Sequence, residues 1–222
     1  YGTDNMAKGP AMSREEAIKA IEVGIDTVAE LKEKGYNVFA TGEMGIGNTT
    51  TSSAVCSVLL DQSVEKVTGK GAGLTNKDLE RKIEVIKQSI ALNQVDANDP
   101  LDVLSKVGGL DIAGMVGCYI GGAALQVPVF IDGFISSVAA LIAIRLVPEC
   151  APYLFPSHCS NEPAGHLILD AIGKEPYILA NMCLGEGTGA VMGFTIADYA
   201  FKAYWELPSF EQTNFGTYEE LN

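Results

Sequence analysis

The chain has 222 residues, of which 47% are hydrophobic and 19% charged, and its formal net charge is −13 at pH 7. The length suffices for one large α/β domain, alone or with a small annex, and the composition is ordinary for a globular protein with a hydrophobic core. The acidic excess argues against nucleic acids and anionic membranes as partners, because both bind clustered Lys and Arg. A small anionic substrate remains compatible with it, because a few backbone N–H groups can bind a phosphate.

The first 35 residues predict a helical segment that belongs to a small domain. YGTDNMAKGP, residues 1–10, has no initiator Met and resembles the interior of a domain, so we expect a section of chain before it. Ser13 and Glu16 have the spacing of a capping box, and Gly35 is typical of a helix end. An amphipathic helix is therefore predicted between them.

Residues 36–60 predict a strand, a glycine turn and a helix. YNVFAT, residues 36–41, indicates a short buried strand, and apolar residues at helical spacing follow from residue 49 to residue 60. Between them, GEMGIGNTT at 42–50 matches neither the nucleotide P-loop nor the dinucleotide fingerprint. Two interpretations of this segment fit. It is either a ligand loop at a helix N-terminus, where free N–H groups suit a phosphate, or a simple connecting turn.

Helices and strands alternate along the rest of the chain. VTGKGAGL, residues 67–74, is a second glycine loop before a charged helix over 76–93, and a short helix begins at Pro100. Residues 112–131 carry no charge and are long enough to span a bilayer, but their glycines, Gln126 and Pro128 favour a buried helix and a turn. The elements predicted next are a strand at 127–132, a helix at 134–146, an extended run at 153–156, a helix at 163–172, a strand at 177–181 and a helix at 190–204.

This alternation predicts an α/β fold with a mostly parallel, Rossmann-like sheet, helices on both faces and a small helical annex. We assign residues 1–35 to the helical N-terminal segment, residues 36–204 to an α/β nucleotide-binding domain and residues 205–222 to a C-terminal tail.

Polar residues follow each predicted strand. Because the carboxyl ends of parallel strands share one edge of a sheet, we expect Glu43, Asp132, Ser160 and Glu186 to converge there on a ligand. The alternative is that each polar strand end is only a solvated turn.

The five cysteines and two histidines indicate no metal site. The cysteine count is odd, no pair has C-x-x-C spacing, and most lie in apolar surroundings, so reduced thiols of a cytoplasmic protein are predicted. The histidines lack the spacing of zinc proteases. We expect neither a metal nor another cofactor.

GEGTG, residues 185–189, places the carboxylate of Glu186 between two glycines, where a substrate can approach closely. At neutral pH an ionised carboxylate there suits a general base. Thr188 is placed to cap the following helix. The alternative is that Glu186 serves only as part of the helix cap.

Four segments resemble the signatures of the nicotinate-nucleotide:dimethylbenzimidazole phosphoribosyltransferase (CobT) family. They are GEMGIGNTT (42–50), VPVFIDGF (127–134), SHCSNEPAGH (157–166) and LGEGTGA (184–190), and residues 1–17 resemble the family too. The resemblance implies an inverting transfer of the ribosyl phosphate of β-nicotinate mononucleotide to a lower-ligand base, dimethylbenzimidazole. The products are an α-ribotide and nicotinate, in the assembly of the cobamide (vitamin B12) nucleotide loop.

The resemblance also implies residue roles. Glu186 matches the catalytic base, and Glu43 and Asp132 match acidic residues that we assign to orientation or electrostatic support. The implied substrate-binding residues are Gly45, Gly47, Asn48, Thr49, Thr50, Gly133 and Ser160 around the phosphate or ribose, Lys82 near the nucleotide and Leu184 against the aromatic base. Lys82 fits a solvated lysine on a charged helix equally well.

Two departures from the family pattern leave alternatives open. Cys183 stands where the family commonly has an arginine. The family also has an N-terminal section that walls the base pocket, and we expect that section either to be absent here or to lie outside these 222 residues. Because family dimers build active sites from both subunits, a homodimer or a heterodimer with a family member is expected. A related branch with phenol or p-cresol as acceptor, and a non-catalytic partner subunit, are the alternative functions.

Overall fold

A computed structural model describes residues 2–213 as helices around a small parallel sheet. The α-helices are α1 (Arg14–Glu33), α2 (Asn48–Leu60), α3 (Val64–Val67), α4 (Asn76–Asn93), α5 (Pro100–Val107), α6 (Leu110–Ala124), α7 (Phe134–Leu146), α8 (Gly165–Ala171) and α9 (Thr188–Glu206). The strands are β1 (Phe39–Ala40), β2 (Val129–Ile131) and β3 (Leu154–Pro156), and 3-10 helices span Pro148–Tyr153 and Phe210–Gln212. The predicted α/β class is confirmed.

The three strands are parallel and lie in sequence order, with β2 in the centre. Successive side chains of a strand point to opposite faces of its sheet. Val129 faces α6, where a Cβ added to Gly122 would lie 2.4 Å from it. Phe130 faces α9, where its ring meets Phe194 edge-on at 4.9 Å. Helices therefore cover β2 on both faces, and the carboxyl ends of the strands remain available for a site.

The predicted strands are longer than the observed ones. Residues 36–38 and 127–128 lie outside the ladder, and the strand predicted at 177–181 is a single parallel bridge between Ile178 and His158. Tyr177 and Leu179, either side of that bridge, are exposed, so no partner surface extends it. The helices predicted at 163–172 and 190–204 lie at Gly165–Ala171 and Thr188–Glu206, whereas those at 76–93 and 134–146 are confirmed.

The N-terminal helix packs backbone to backbone against α6. The capping box at its start is confirmed, since Ser13 Oγ accepts from the Glu16 N–H at 3.1 Å and the Glu16 carboxylate accepts from the Ser13 N–H at 2.7 Å. A Cβ on Gly24 would lie 2.0 Å from the carbonyl oxygen of Gly114, and one on Gly117 would lie 1.9 Å from that of Ile21. The division of the chain at residues 35 and 204 stays a prediction.

The glycine-rich α6 is mostly buried within the protein, as predicted. Within residues 2–213, no helix is long and apolar enough to cross a bilayer. All five cysteines are free, and Cys183 is exposed while Cys56, Cys150 and Cys159 are buried. Burial raises the pKa of the Cys56 thiol to about 12 and that of Cys150 to about 11. Residues 214–222 of the predicted tail lie outside the described part of the chain.

Candidate active site

The loops that follow β1 and precede α9 pack directly against each other. The backbone N–H of Glu186 donates to the carbonyl oxygen of Glu43 at 3.1 Å. A Cβ on Gly42 would lie 2.5 Å from the backbone nitrogen of Gly187, so only glycine allows this approach. Glu186 has a φ of +58°, and the glycines on both sides of it also have positive φ. The sequence correctly predicted that these two loops meet, although most of the chain separates them.

Asp132 joins β2 to the loop that contains Glu186. Its side chain is completely buried, and its Oδ2 accepts from the N–H of Gly187 at 2.9 Å. Its Oδ1 accepts from the N–H groups of Gly189 and Ala190 at 2.8 and 3.2 Å. A carboxylate in this position satisfies free N–H groups at the start of α9 and complements the helix dipole. Asp132 therefore orients the Glu186 loop.

The predicted cap by Thr188 is wrong. Gly187 is the N-cap of α9 and makes no side-chain bond, and Thr188 is already helical. The Thr188 hydroxyl instead donates to the carbonyl oxygen of Gly185 at 2.7 Å. Asp132 supplies the acceptors that a capping side chain would otherwise provide.

His158 lies near Asp132, next to Gly189 at the start of α9, and it was not predicted as a site residue. The ring is 2% exposed, its Nδ1 lies 3.1 Å from Ser157 Oγ, and a Cβ on Gly189 would lie 2.0 Å from Nδ1. Burial lowers the pKa of His158, against the opposing effect of the Asp132 carboxylate. The polar segment after β3, residues 157–166, was predicted to lie at the site, but the sequence does not reveal which of its side chains turns inward.

Glu43 is half-buried, and one of its carboxylate oxygens accepts two hydrogen bonds. Its Oε2 accepts from the Gly45 N–H at 2.5 Å and from Asn48 Nδ2 at 2.7 Å. The same Asn48 nitrogen donates to Asp111 Oδ2 at 2.8 Å, a contact that the sequence did not predict. Burial raises the pKa of Glu43, partly offset by these bonds and reinforced by the nearby carboxylates of Asp111 and Asp132. Asn48 thus links two carboxylates.

The N-terminus of α2 combines free N–H groups with a buried cation. Gly47 is its N-cap, in the left-handed conformation with a φ of +80°, without a side-chain bond, and no acidic residue lies in the first turn. Lys82 is 8% exposed and donates to Thr49 Oγ1 at 2.9 Å and to the Gly69 carbonyl oxygen at 3.0 Å. Lys82 is therefore not a solvated lysine. Burial lowers its pKa, and Glu162 opposes that change.

The other predicted residues surround these groups. Ser160 is 9% exposed, and its Oγ accepts from the N–H of Glu162 at 3.3 Å. Gly133 is the N-cap of α7, where a Cβ would lie 3.6 Å from His158 Nε2. Thr50 and Lys82 line one cavity of about 310 Å³. The side chains of Leu184 and Glu186 are exposed, and no protein group that the structure describes bonds to the Glu186 carboxylate.

A family model described as DBI_PRT phosphoribosyltransferase matches residues 1–215. Among curated proteins, the chain is 54% identical over 218 residues to a nicotinate-nucleotide–dimethylbenzimidazole phosphoribosyltransferase of Acetivibrio thermocellus, covering 98% of this chain and 62% of that protein. A protein of the same name from Ruminiclostridium cellulolyticum is 54% identical over 220 residues, with 99% and 62% coverage. The chain thus spans 62% of the length of these relatives.

Among solved structures, CobT from Thermus thermophilus has a similar fold. Its TM-score with this chain is 0.90 at 33% sequence identity, over 96% of this chain and 64% of that one.

Proposed function

Because the chain belongs to the nicotinate-nucleotide–dimethylbenzimidazole phosphoribosyltransferase family, we propose that it transfers the ribosyl phosphate of nicotinate mononucleotide to dimethylbenzimidazole. The products are nicotinate and an α-ribotide for a cobamide. The names of the relatives favour dimethylbenzimidazole over a phenol as the acceptor. One observation carries the proposal: a backbone bond joins the Glu186 loop to Glu43, in the loop that leads into the N-terminus of α2, and the Glu186 side chain is exposed.

Glu186 is the general base in this proposal. The bond between C1′ of the ribose and the nicotinate nitrogen breaks, and its electron pair returns to that nitrogen, so no acid is needed. A nitrogen of dimethylbenzimidazole forms the new bond to C1′ from the opposite face, and the azole proton passes to the Glu186 carboxylate. A positioned base contributes about 10²–10⁴-fold to such a rate, and holding both reactants in line contributes roughly 7–11 kcal/mol in favourable cases.

Glu43 and Asp132 support this base rather than replace it. Asp132 has both oxygens bonded to backbone N–H groups, and Oε2 of Glu43 is held by Gly45 and Asn48. Their role is to fix the loop and to favour the positive charge that develops at the ribose C1′ as nicotinate leaves.

The phosphate binds at the N-terminus of α2. The attraction comes from the free N–H groups of α2, the positive end of its helix dipole and the Lys82 ammonium. The surrounding pocket is shaped by six further residues, namely Gly45, Gly47, Thr49, Thr50, Gly133 and Ser160. Asn48 contributes through its bonds to the two carboxylates. Leu184, which is 67% exposed, contacts the aromatic base.

Three further features belong to this proposal. The sheet acts as a Rossmann-like nucleotide platform, with the substrate at its carboxyl edge. The free cysteines support a cytoplasmic location. The protein works as a dimer through α9, whose exposed apolar side chains include Tyr199, Phe201, Tyr204 and Trp205.

The experiment is to incubate the protein with β-nicotinate mononucleotide and dimethylbenzimidazole and to assign the product by NMR. We expect one nicotinate released for each α-configured ribotide formed. Unchanged nucleotide would contradict the proposal and indicate a binding subunit. A parallel reaction with p-cresol tests the acceptor class, and a faster reaction with p-cresol would overturn dimethylbenzimidazole as the acceptor.

A further inference from the structure

The second glycine loop has no part in the proposed chemistry, but it is held closely from two sides. A Cβ on Gly71 would lie 2.9 Å from Thr49 Oγ1, on the α2 side. A Cβ on Gly69 would lie 1.9 Å from Glu162 Oε2 and 2.8 Å from Pro163 Cδ, on the opposite side. Glycine at both positions thus allows Glu162 and Thr49 to approach the same short stretch of backbone.

Two charged groups lie beside this loop, the Lys82 ammonium and the Glu162 carboxylate, and in the part of the chain that the structure describes neither is hydrogen-bonded to an oppositely charged group. Both bonds from the Lys82 ammonium go to uncharged oxygens, those of Thr49 and Gly69. Glu162 Oε2 is buried, and no residue within 2–213 donates to it. A buried ammonium is costly unless an opposite charge lies near, and a carboxylate with one buried, unpaired oxygen carries a similar cost.

Glu162 is the acidic group whose charge acts on buried Lys82. Its carboxylate opposes the lowering of the Lys82 pKa that burial causes. Burial raises the pKa of Glu162, and the Lys82 charge and a hydrogen bond from the Gly71 backbone both oppose that rise. Of the other charged groups nearby on α4, Asp78 is bonded to the Thr75 hydroxyl at 2.6 Å and Arg81 is exposed. The pair is therefore linked through Gly69, whose carbonyl oxygen bonds Lys82 and whose Cα lies against Glu162.

We propose that Glu162 is a positioning residue for Lys82, holding the Gly69 backbone and providing the counter-charge that keeps the ammonium at the N-terminus of α2. This inference builds on the proposed function, in which Lys82 and α2 bind the phosphate of nicotinate mononucleotide. Glu162 does not touch the substrate; it acts through Lys82. This role explains why the Glu162 carboxylate and the glycine loop at 67–74 lie beside a site that is proposed to bind a phosphate.

The first test measures the titration of Lys82 in the free protein by ¹³C NMR of the lysine Cε, with Lys82→Met used for assignment. In Glu162→Gln we expect the Lys82 pKa to fall by about one unit, which is a tenfold change in its ionisation constant. Glu162→Asp keeps the charge and should retain most of the wild-type value. Glu84→Gln removes an exposed carboxylate from the same helix as Lys82 and is the matched control. An unchanged Lys82 titration in Glu162→Gln overturns the proposal.

The second test is a double-mutant cycle on nicotinate mononucleotide affinity, measured by calorimetry. Glu162→Gln should weaken binding by roughly three- to tenfold in the wild-type background and leave it unchanged in Lys82→Met. Equal losses in both backgrounds would mean that Glu162 acts independently of Lys82, contrary to the proposal.

The two tests separate this inference from the proposed function. If the wild-type protein binds the nucleotide but transfers no ribosyl phosphate, the proposed function fails while both measurements on Glu162 remain valid. Thermal unfolding of each variant confirms that the comparison is between folded proteins.

Discussion

Asp132 and Gly187 are 55 residues apart in the chain, yet a 2.9 Å hydrogen bond joins Asp132 Oδ2 to the Gly187 N–H. The residue before Gly187 is Glu186, whose own N–H is bonded to Glu43. The backbone around Glu186 is thus fixed on both sides, by the loop after β1 and by the residue directly after β2, while the Glu186 side chain is exposed. This arrangement fixes the backbone that carries the carboxylate before any substrate arrives, which reduces the cost of ordering the loop on binding.

Replacing Asp132 by Asn should weaken both the fold and the site. The amide retains one acceptor oxygen but turns an NH₂ group toward backbone donors, leaving buried groups unsatisfied at a cost of about 1–3 kcal/mol. Urea unfolding followed by circular dichroism measures this loss. Asp26→Asn, on the exposed face of α1, is the control and should unfold like the wild type. Equal stability of Asp132→Asn and Asp26→Asn would refute the assigned role.

Replacing Glu186 by Gln should remove the base without disturbing nucleotide binding. We expect kcat to fall by about 10²–10⁴-fold, because the amide cannot accept the azole proton. Steady-state kinetics measures the fall, and calorimetry with nicotinate mononucleotide should give the wild-type Kd. Glu175→Gln, an exposed carboxylate elsewhere, should retain full turnover. If Glu186→Gln also turned over normally, the base would have to be another group.

His158 should make the protein less stable in acid. Since burial lowers its pKa below the ordinary value of 6.5, the unfolded chain binds more protons than the folded protein as the pH falls below about 6.5. The free energy of unfolding should therefore decrease there, by at most about 1.4 kcal/mol per pH unit for this group. His158→Asn should lose that part of the slope, compared with His166→Asn on the exposed side of α8. Identical slopes in the two variants would exclude His158 as the source.

The contact between α1 and α6 should tolerate Ala at one glycine and not at another. In Gly117→Ala the new methyl would meet the Ile21 carbonyl at 1.9 Å, so overpacking should cost about 1–3 kcal/mol. In Gly114→Ala, on the same helix, nothing lies within 4 Å, so helix propensity should stabilise by up to about 1 kcal/mol. Thermal unfolding of both variants measures the difference. A Tm of Gly117→Ala equal to that of Gly114→Ala would contradict the observed packing.

Sequence patterns predicted the helices better than the strands. The limits of α4 and α7 agree with their predicted ranges because caps, charges and apolar spacing act within each segment. A strand exists only where a partner pairs with it. β1 reaches two residues because β2 begins only after Pro128, and Ile178 forms one bridge because its neighbours have no strand beside them. Strand propensity does not contain that information.

The candidate site was predictable at the level of loops, not of contacts. Glycines and carboxylates after strands indicated which loops converge, and the bonds of Glu186 to Glu43 and of Gly187 to Asp132 show that three of these loops meet. The inward turn of His158, the contact of Asn48 with Asp111 and the burial of Lys82 depend on tertiary packing. No local pattern distinguishes these side chains from solvated neighbours.

The exposure of Cys183 makes the protein convenient for labelling. Thiolates rather than thiols react with maleimides, and burial raises the pKa of each of the other four cysteines. A fluorophore should therefore attach selectively just before the Glu186 loop, without any engineered thiol. Its emission would then report nucleotide arrival at that loop in real time.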